Sequence, residues 1–177
     1  MMDYICSKMF LLGRSLVFKL LKFAIGYKKP HVCWLTTKEL ANWLENSAQT
    51  QPIIIDARSE AEYAVSHLKN ARRIDAIAPN LALLPDISSD TPIVVYCSVG
   101  YRSANIAQQL QQTGFDRVYN LQGSIFQWAN EGRPIFKDDR PTQFVHPYNA
   151  IWGKLLKSQY RYKKAEGQRS PGAEEDS

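Results

Sequence analysis

Two short runs constrain this chain more than anything else in it. Pro52-Ile53-Ile54-Ile55-Asp56 and Pro92-Ile93-Val94-Val95-Tyr96-Cys97 are continuous, apolar and β-branched, and each ends in a residue able to do chemistry. A strand with one wet face alternates apolar and polar residues. A strand that is apolar throughout is buried on both faces, as in a parallel sheet covered by helices. Arg117-Val118-Tyr119-Asn120-Leu121 is a third candidate strand. Between these runs, residues 60–65 and 102–113 read as helices, and Gly114 suits the left-handed position that ends the second. Thr36 and Glu39 have the spacing of a capping box, followed by Leu40, Trp43 and Leu44 on one face of a short helix. Strands alternating with helices imply an α/β domain with a parallel central sheet.

The chain has 177 residues, enough for one ordinary domain and some extensions. With 45% hydrophobic and 22% charged residues, wholesale disorder is excluded. Cys6, Cys33 and Cys97 are widely spaced, which excludes a disulfide-stapled mini-protein. His31, His67 and His146 form no metal-binding motif with them, so neither a metal nor a cofactor is expected.

The net charge of +5 is unevenly spread. Residues 1–30 hold six basic side chains against Asp3 alone. Residues 31–136 hold eight basic against ten acidic, and residues 137–177 eight against six. The chain therefore divides into a basic N-terminal arm (1–30), a near-neutral domain (31–136) and a C-terminal extension (137–177). A nucleic-acid-binding domain would carry its positive excess on the folded core, so nucleic acid is not an expected partner.

Within the arm, residues 9–25 are too short and too charged for a membrane span. At a helical period Lys8, Ser15, Lys19 and Lys22 share one face, and Met9, Leu12, Leu16, Leu20 and Phe23 the other. Leu11 and Phe18 intrude on the polar side. Two arrangements are open: an interfacial helix on an anionic membrane, or a helix packed on the domain or a partner. In the extension, residues 147–162 are expected to form a helix with Ile151, Leu155 and Leu156 as apolar positions. The tail from Ala165 is expected to be disordered.

The segment from Ile93 to Ser103 carries the chemistry. A buried strand ends in Cys97, a loop follows, and Arg102 opens an amphipathic helix with Ile106, Ala107 and Leu110 inward. The sulfur then lies at the carboxyl end of a central strand, where open α/β sheets bind ligands. Loop N–H groups, the positive helix end and Arg102 would favour the thiolate, the nucleophilic form. Gly100 permits a turn that a Cβ would hinder. A small apolar core cysteine is the plainer alternative.

These residues resemble the rhodanese-like sulfurtransferases. The resemblance runs from Thr36 to Phe136. It takes in Ile55-Asp56-Ala57-Arg58, Glu62-Tyr63, Ser66-His67-Leu68 with Ala71, the Cys97 to Arg102 loop, Gly114-Phe115, Val118, Leu121-Gln122-Gly123, and Trp128 before Gly132 and Pro134. It implies a three-layer fold, with a central parallel sheet of about five strands flanked by helices. It also implies that Cys97 takes sulfane sulfur from thiosulfate or a persulfide and passes it to cyanide or to a thiol, which could belong to a protein. Ser98, Val99, Gly100, Tyr101 and Arg102 would cradle the transferred sulfur or the donor's oxygens.

Two departures accompany this resemblance. Ser98 and Val99 are uncharged where the best thiosulfate-using members carry basic residues, which favours a persulfide or protein donor. Ser124 stands where many members have a second glycine after Gly123, and would cap the helix through Trp128.

Asp56 and Arg58 read either as support for the reactive loop or as a structural ion pair with Glu62 or a helix end. His67 and Trp128 are expected to be structural. Cys6 and Cys33 read as incidental, with relay of sulfur from Cys97 as the alternative. Two other functions stay open. One is a binding or regulatory module without turnover, though inactive members of the family typically lose the cysteine. The other is a phosphatase or arsenate reductase, which the short Cys-x4-Arg loop disfavours. The scarcity of cysteines and a working thiol point to a reducing cytoplasm, with the arm on its membrane face.

Overall fold

The structure is a computed structural model that describes residues 13–76 and 87–163. Five parallel strands form one sheet in the order β1-β5-β4-β2-β3. The three expected strands are β2 (Ile53–Asp56), β4 (Ile93–Tyr96) and β5 (Val118–Leu121). The edges are β1 (Cys33–Leu35) and β3 (Arg72–Arg73), too short to show a period in the sequence. Every residue of β4, the middle strand, is buried.

Alternate residues of the strands feed two cores. Ile54, Val94 and Tyr96 face one layer, and Ile55, Ile93 and Val95 the other. The second layer is α4 (Tyr101–Gln112), through Ile106, Ala107 and Leu110. The first is built from α1 (Arg14–Lys28), α2 (Thr37–Glu45), α5 (Ser124–Asn130) and the C-terminal segment. The capping box of α2 forms as expected, with the Glu39 N–H donating to Thr36 Oγ1 at 3.2 Å. A second caps α3 (Glu60–Val65), between Ser59 and Glu62.

Helix α1 is packed on the domain, but not by the face the sequence favoured. Val17, Phe18, Leu21 and Ile25 are buried in the same core cluster as Ile125, Trp152, Leu155 and Leu156. Phe18, read as an intrusion on the polar side, anchors the helix. Leu16, Leu20, Phe23 and Tyr27 form a second apolar stripe that stays in solvent, with Phe23 75% and Tyr27 85% exposed. Both stripes recur at a helical period, so spacing alone could not choose between them. The residues before Gly13, with Cys6, Lys8, Met9, Leu11 and Leu12, lie outside the described residues.

After α5 the chain forms a hairpin of β6 (Ile135–Lys137) and β7 (Arg140–Thr142). Asp138 and Asp139 make its two-residue turn, both with positive φ. Residue 136 lies inside this hairpin. The helix expected over 147–162 does not form. Two short 3-10 turns, Trp152–Leu155 and Ser158–Tyr160, replace it. Asn149 leads into the first of them, its Oδ1 accepting from the N–H groups of Ile151 and Trp152 at 3.0 and 2.9 Å. Gly153 lies so close to Pro147 that an added Cβ would sit 2.7 Å from the proline Cβ. The tail from Ala165 lies outside the described residues.

Candidate active site

Cys97 follows the last residue of β4 and is buried. The loop after it turns at Gly100, whose φ of +113° lies in a region that L side chains rarely adopt. That turn aims the Gly100 N–H at Cys97 Sγ, 3.2 Å away. Ser103, one turn on, also favours the anion at the sulfur. Burial pushes the Cys97 thiol up. The Arg102 charge and the Ser103 and Gly100 bonds outweigh it, and the thiol lies below its ordinary value.

Asn120, at the end of β5, holds this turn from behind. Its Nδ2 donates to the Gly100 carbonyl at 2.9 Å, and its Oδ1 accepts from the Ser103 hydroxyl at 2.6 Å. Ser124 braces the other side, and its role corrects the expectation. Gly123, not Ser124, is the N-cap of α5, and Ser124 makes no cap bond. Its hydroxyl accepts from the Cys97 N–H and donates to the Leu121 carbonyl, both at 3.1 Å. The carbonyls of Cys97 and Ser98 accept from the N–H groups of Ile125 and Phe126.

Arg102 is engaged by a residue forty positions earlier. Its Nη1 and Nη2 each donate to one oxygen of Glu62 at 2.7 Å, and Nη2 also reaches Ser98 Oγ at 2.9 Å. Ser98 in turn donates to Glu62 Oε1 at 2.8 Å. Burial pushes Glu62 up, but the bonds and charge of Arg102 prevail and hold it down at about 2. In the sequence Glu62 stood only in the family motif and as a candidate partner of Arg58; in the fold its Oε2 takes the Ser59 cap and Arg102 Nη1 together, and its Oε1 takes Arg102 Nη2 and Ser98.

Asp56 and Arg58 pair with each other, both fully buried, rather than Arg58 with Glu62. Arg58 Nη2 also donates to the Ser66 carbonyl, and the Tyr96 hydroxyl donates to Asp56 Oδ2 at 2.6 Å. Their link to the reactive loop thus runs through Tyr96, the residue before Cys97. The His67 ring stacks on Tyr63 at 4.1 Å between centroids. Trp128 donates to the Pro134 carbonyl at 2.9 Å. Cys33 is exposed at the start of β1.

A small cavity of about 80 Å³ opens beside the sulfur, lined by Cys97, Ser98, Val99, Tyr101, Arg102, Tyr148 and Trp152. The last two come from the C-terminal segment and escaped the sequence reading, which had only the helical pattern of Ile151, Leu155 and Leu156 to work with. His146 belongs to the same neighbourhood. Its pKa is lowered, first by burial, and the charges of Glu62 and Arg102 act on it with opposite sign.

A family model described as a rhodanese-like domain matches residues 36–131, more than half of the chain. Thiosulfate sulfurtransferase GlpE of Actinobacillus pleuropneumoniae is 34% identical over 106 residues, covering 60% of this chain and 88% of that protein. Probable adenylyltransferase/sulfurtransferase MoeZ of Mycobacterium tuberculosis is 33% identical over 104 residues, 56% of this chain. The match spans only 25% of that longer protein. Among solved structures, a rhodanese-like domain protein from Staphylococcus aureus aligns with a TM-score of 0.52 at 25% identity, over 60% of this chain and 99% of that one.

Proposed function

We propose that this chain, which belongs to the rhodanese-like domain family, is a sulfurtransferase that carries sulfane sulfur on Cys97. One observation carries the reading: a buried thiol at the carboxyl end of the central strand that accepts the Gly100 N–H at 3.2 Å, beside Arg102. That is the environment a nucleophilic thiolate needs.

The Cys97 thiolate attacks the outer sulfur of the donor. With thiosulfate, a bond forms between Sγ and that sulfur, the bond to the sulfonate sulfur breaks, and sulfite leaves with the electron pair. With a persulfide, a thiolate leaves instead. An acceptor thiolate, small or on a protein, or cyanide in an assay, then attacks the outer sulfur and returns Cys97 as thiolate. The Gly100 N–H stabilises the Cys97 thiolate that attacks the donor and that leaves in the discharge step. Ser98, Val99, Tyr101 and Arg102 form the walls around it, while Asp56 and Arg58 support the loop through Tyr96. The two half-reactions give ping-pong kinetics.

The test is an intact mass under non-reducing conditions after incubation with thiosulfate or a low-molecular-weight persulfide. The expected result is a gain of one sulfur, about 32 Da, that disappears in Cys97→Ser. No gain from either donor would favour a binding module.

A second reading concerns α1. Its exposed stripe of Leu16, Leu20, Phe23 and Tyr27 is flanked by Lys19 and Lys22, with no acid in the helix. This arrangement suits a peripheral position on an anionic membrane, with the apolar side chains in the headgroup boundary, on the cytoplasmic face where a thiol stays reduced. No helix among the described residues is long and apolar enough to cross a membrane.

A further inference from the structure

The segment that closes the cavity over Cys97 lies beyond residue 131, where the family match ends. It is a fixed wall and not a loose tail. The Val145 N–H donates to the Tyr160 carbonyl at 2.7 Å, and the Tyr162 N–H donates to the Val145 carbonyl at 2.9 Å. Asn130 ties it to α5, donating to the Leu155 carbonyl at 2.8 Å and accepting from the Lys157 N–H at 2.7 Å. Trp152, Leu155 and Leu156 are buried in the core.

This wall brings two aromatic rings to the sulfur. Trp152 is 7% exposed and Tyr148 is 48% exposed, and both line the cavity. The Tyr148 ring covers the Arg102 guanidinium at 4.8 Å from its centroid. Arg102 is the one cation among the cavity residues. Glu62 and Ser98 take three of its five N–H donors, its charge is paired by Glu62, and the Tyr148 ring lies over one face. A dianion entering here meets a paired cation and apolar walls of Val99, Tyr101, Tyr148 and Trp152. Its desolvation is then poorly compensated.

We infer that Tyr148 and Trp152 determine specificity. They make the Cys97 cavity a site for the uncharged, apolar flank of an organic persulfide or thiol and turn away dianionic donors such as thiosulfate. This deepens the sulfurtransferase reading and rests on it. The favoured loading step is Cys97–S⁻ + R–S–SH → Cys97–S–SH + R–S⁻. A bond forms between Sγ and the outer sulfur, the R–S–S bond breaks, and the electron pair leaves on R–S⁻. The proton stays on the transferred sulfur, and R lies against the two rings.

The test separates access from sulfur chemistry. In the full chain, Cys97 is alkylated with N-propyl iodoacetamide or with iodoacetate, and the rates are read by peptide mass. The exposed Cys33 in the same chain supplies the intrinsic reactivity ratio. In parallel, Cys97 is loaded with sulfur from an uncharged alkyl persulfide and discharged with propanethiol or with mercaptoethanesulfonate. The neutral reagent is expected to be favoured at Cys97 by at least about ten-fold beyond the ratio at Cys33, with propanethiol favoured over the sulfonate by a similar factor.

Tyr148→Ala, at a half-exposed position, should reduce both preferences to within about three-fold, chiefly by faster reaction of the anionic reagent. Trp152→Phe keeps an aromatic in the core and should give a smaller loss in the same direction. Equal preference at Cys97 and Cys33, or a preference unchanged in Tyr148→Ala, overturns the inference. Failure of Cys97 to load sulfur while the alkylation preference holds would sink the sulfurtransferase reading and leave the apolar site standing.

Discussion

Glu62 and Arg102 meet edge to edge across forty residues of sequence, two nitrogens on two oxygens at 2.7 Å each. One partner opens the helix after the reactive cysteine, and the other lies in the first turn of α3. The pair therefore clamps the reactive loop to a helix on a different strand connection, and Ser98 closes the triangle. Because Arg102 also lowers the Cys97 pKa, one contact serves both loop geometry and nucleophile strength.

Removing one side of this pair leaves the other partly buried without a counter-charge. Glu62→Gln is expected to cost about 3 kcal/mol at neutral pH, at the low end for such pairs because Arg102 keeps some contact with water. Glu62 is depressed to about 2 from a usual 4.5, so its contribution is complete above about pH 4.5 and is lost as the pH falls toward 2. Urea unfolding between pH 2 and 7 should show this acid-side loss in the native chain and a flatter profile in the variant. Parallel profiles would remove Glu62 as the cause.

Arg102→Met takes away the charge that opposes burial at the sulfur. The pH midpoint of Cys97 alkylation by iodoacetamide should move upward. At a pH below both midpoints the rate should fall by about ten-fold for each pH unit of that movement, since thiolate fraction governs it. An unchanged midpoint would mean that the Gly100 and Ser103 bonds alone hold the anion.

Ser124→Ala deprives the buried Cys97 N–H of its acceptor. The expected cost is about 1–3 kcal/mol, read from the denaturation midpoint. Sulfur uptake should slow as well, because the same hydroxyl ties the residue carrying the sulfur to the end of β5. A loss of stability with unaltered uptake would limit Ser124 to a packing role.

The two stripes of α1 should separate cleanly. Phe18→Ala opens a cavity against the core and is expected to cost about 3–5 kcal/mol. Phe23→Ser, on the exposed stripe, should change stability by no more than about 0.5 kcal/mol. The same Phe23→Ser substitution should release the protein from sedimenting phosphatidylglycerol vesicles, and high salt should release the native chain. Native protein that ignores such vesicles at low salt would defeat the membrane reading.

The elements legible in the sequence are those whose causes lie within a few residues. Ile53 to Asp56 and Ile93 to Tyr96 are β-branched and apolar throughout, and they became buried parallel strands. Thr36 and Glu39 bond each other across one turn, wherever that turn sits. Cys97, Gly100 and Arg102 lie within six residues, so the loop around the sulfur could be drawn from spacing and from the family resemblance.

What the sequence left open depends on surfaces that meet only in the folded chain. Glu62 caps Ser59 within its own helix, and nothing nearby names Arg102 as the partner that grips both its oxygens. Ser124 looked like a helix cap because its local context suits one, yet the Cys97 N–H captured its hydroxyl. In α1 both stripes are apolar at a helical period, and only the shape of the core chose Phe18 over Phe23. Residues 147–162 carry a helical pattern but fold as two short turns packed on the core and tied to Asn130, and these bring Tyr148 and Trp152 to the sulfur. Short-range bonds are specified by neighbours in the chain. The choice among long-range partners is made by which buried groups would otherwise remain unpaired or unpacked.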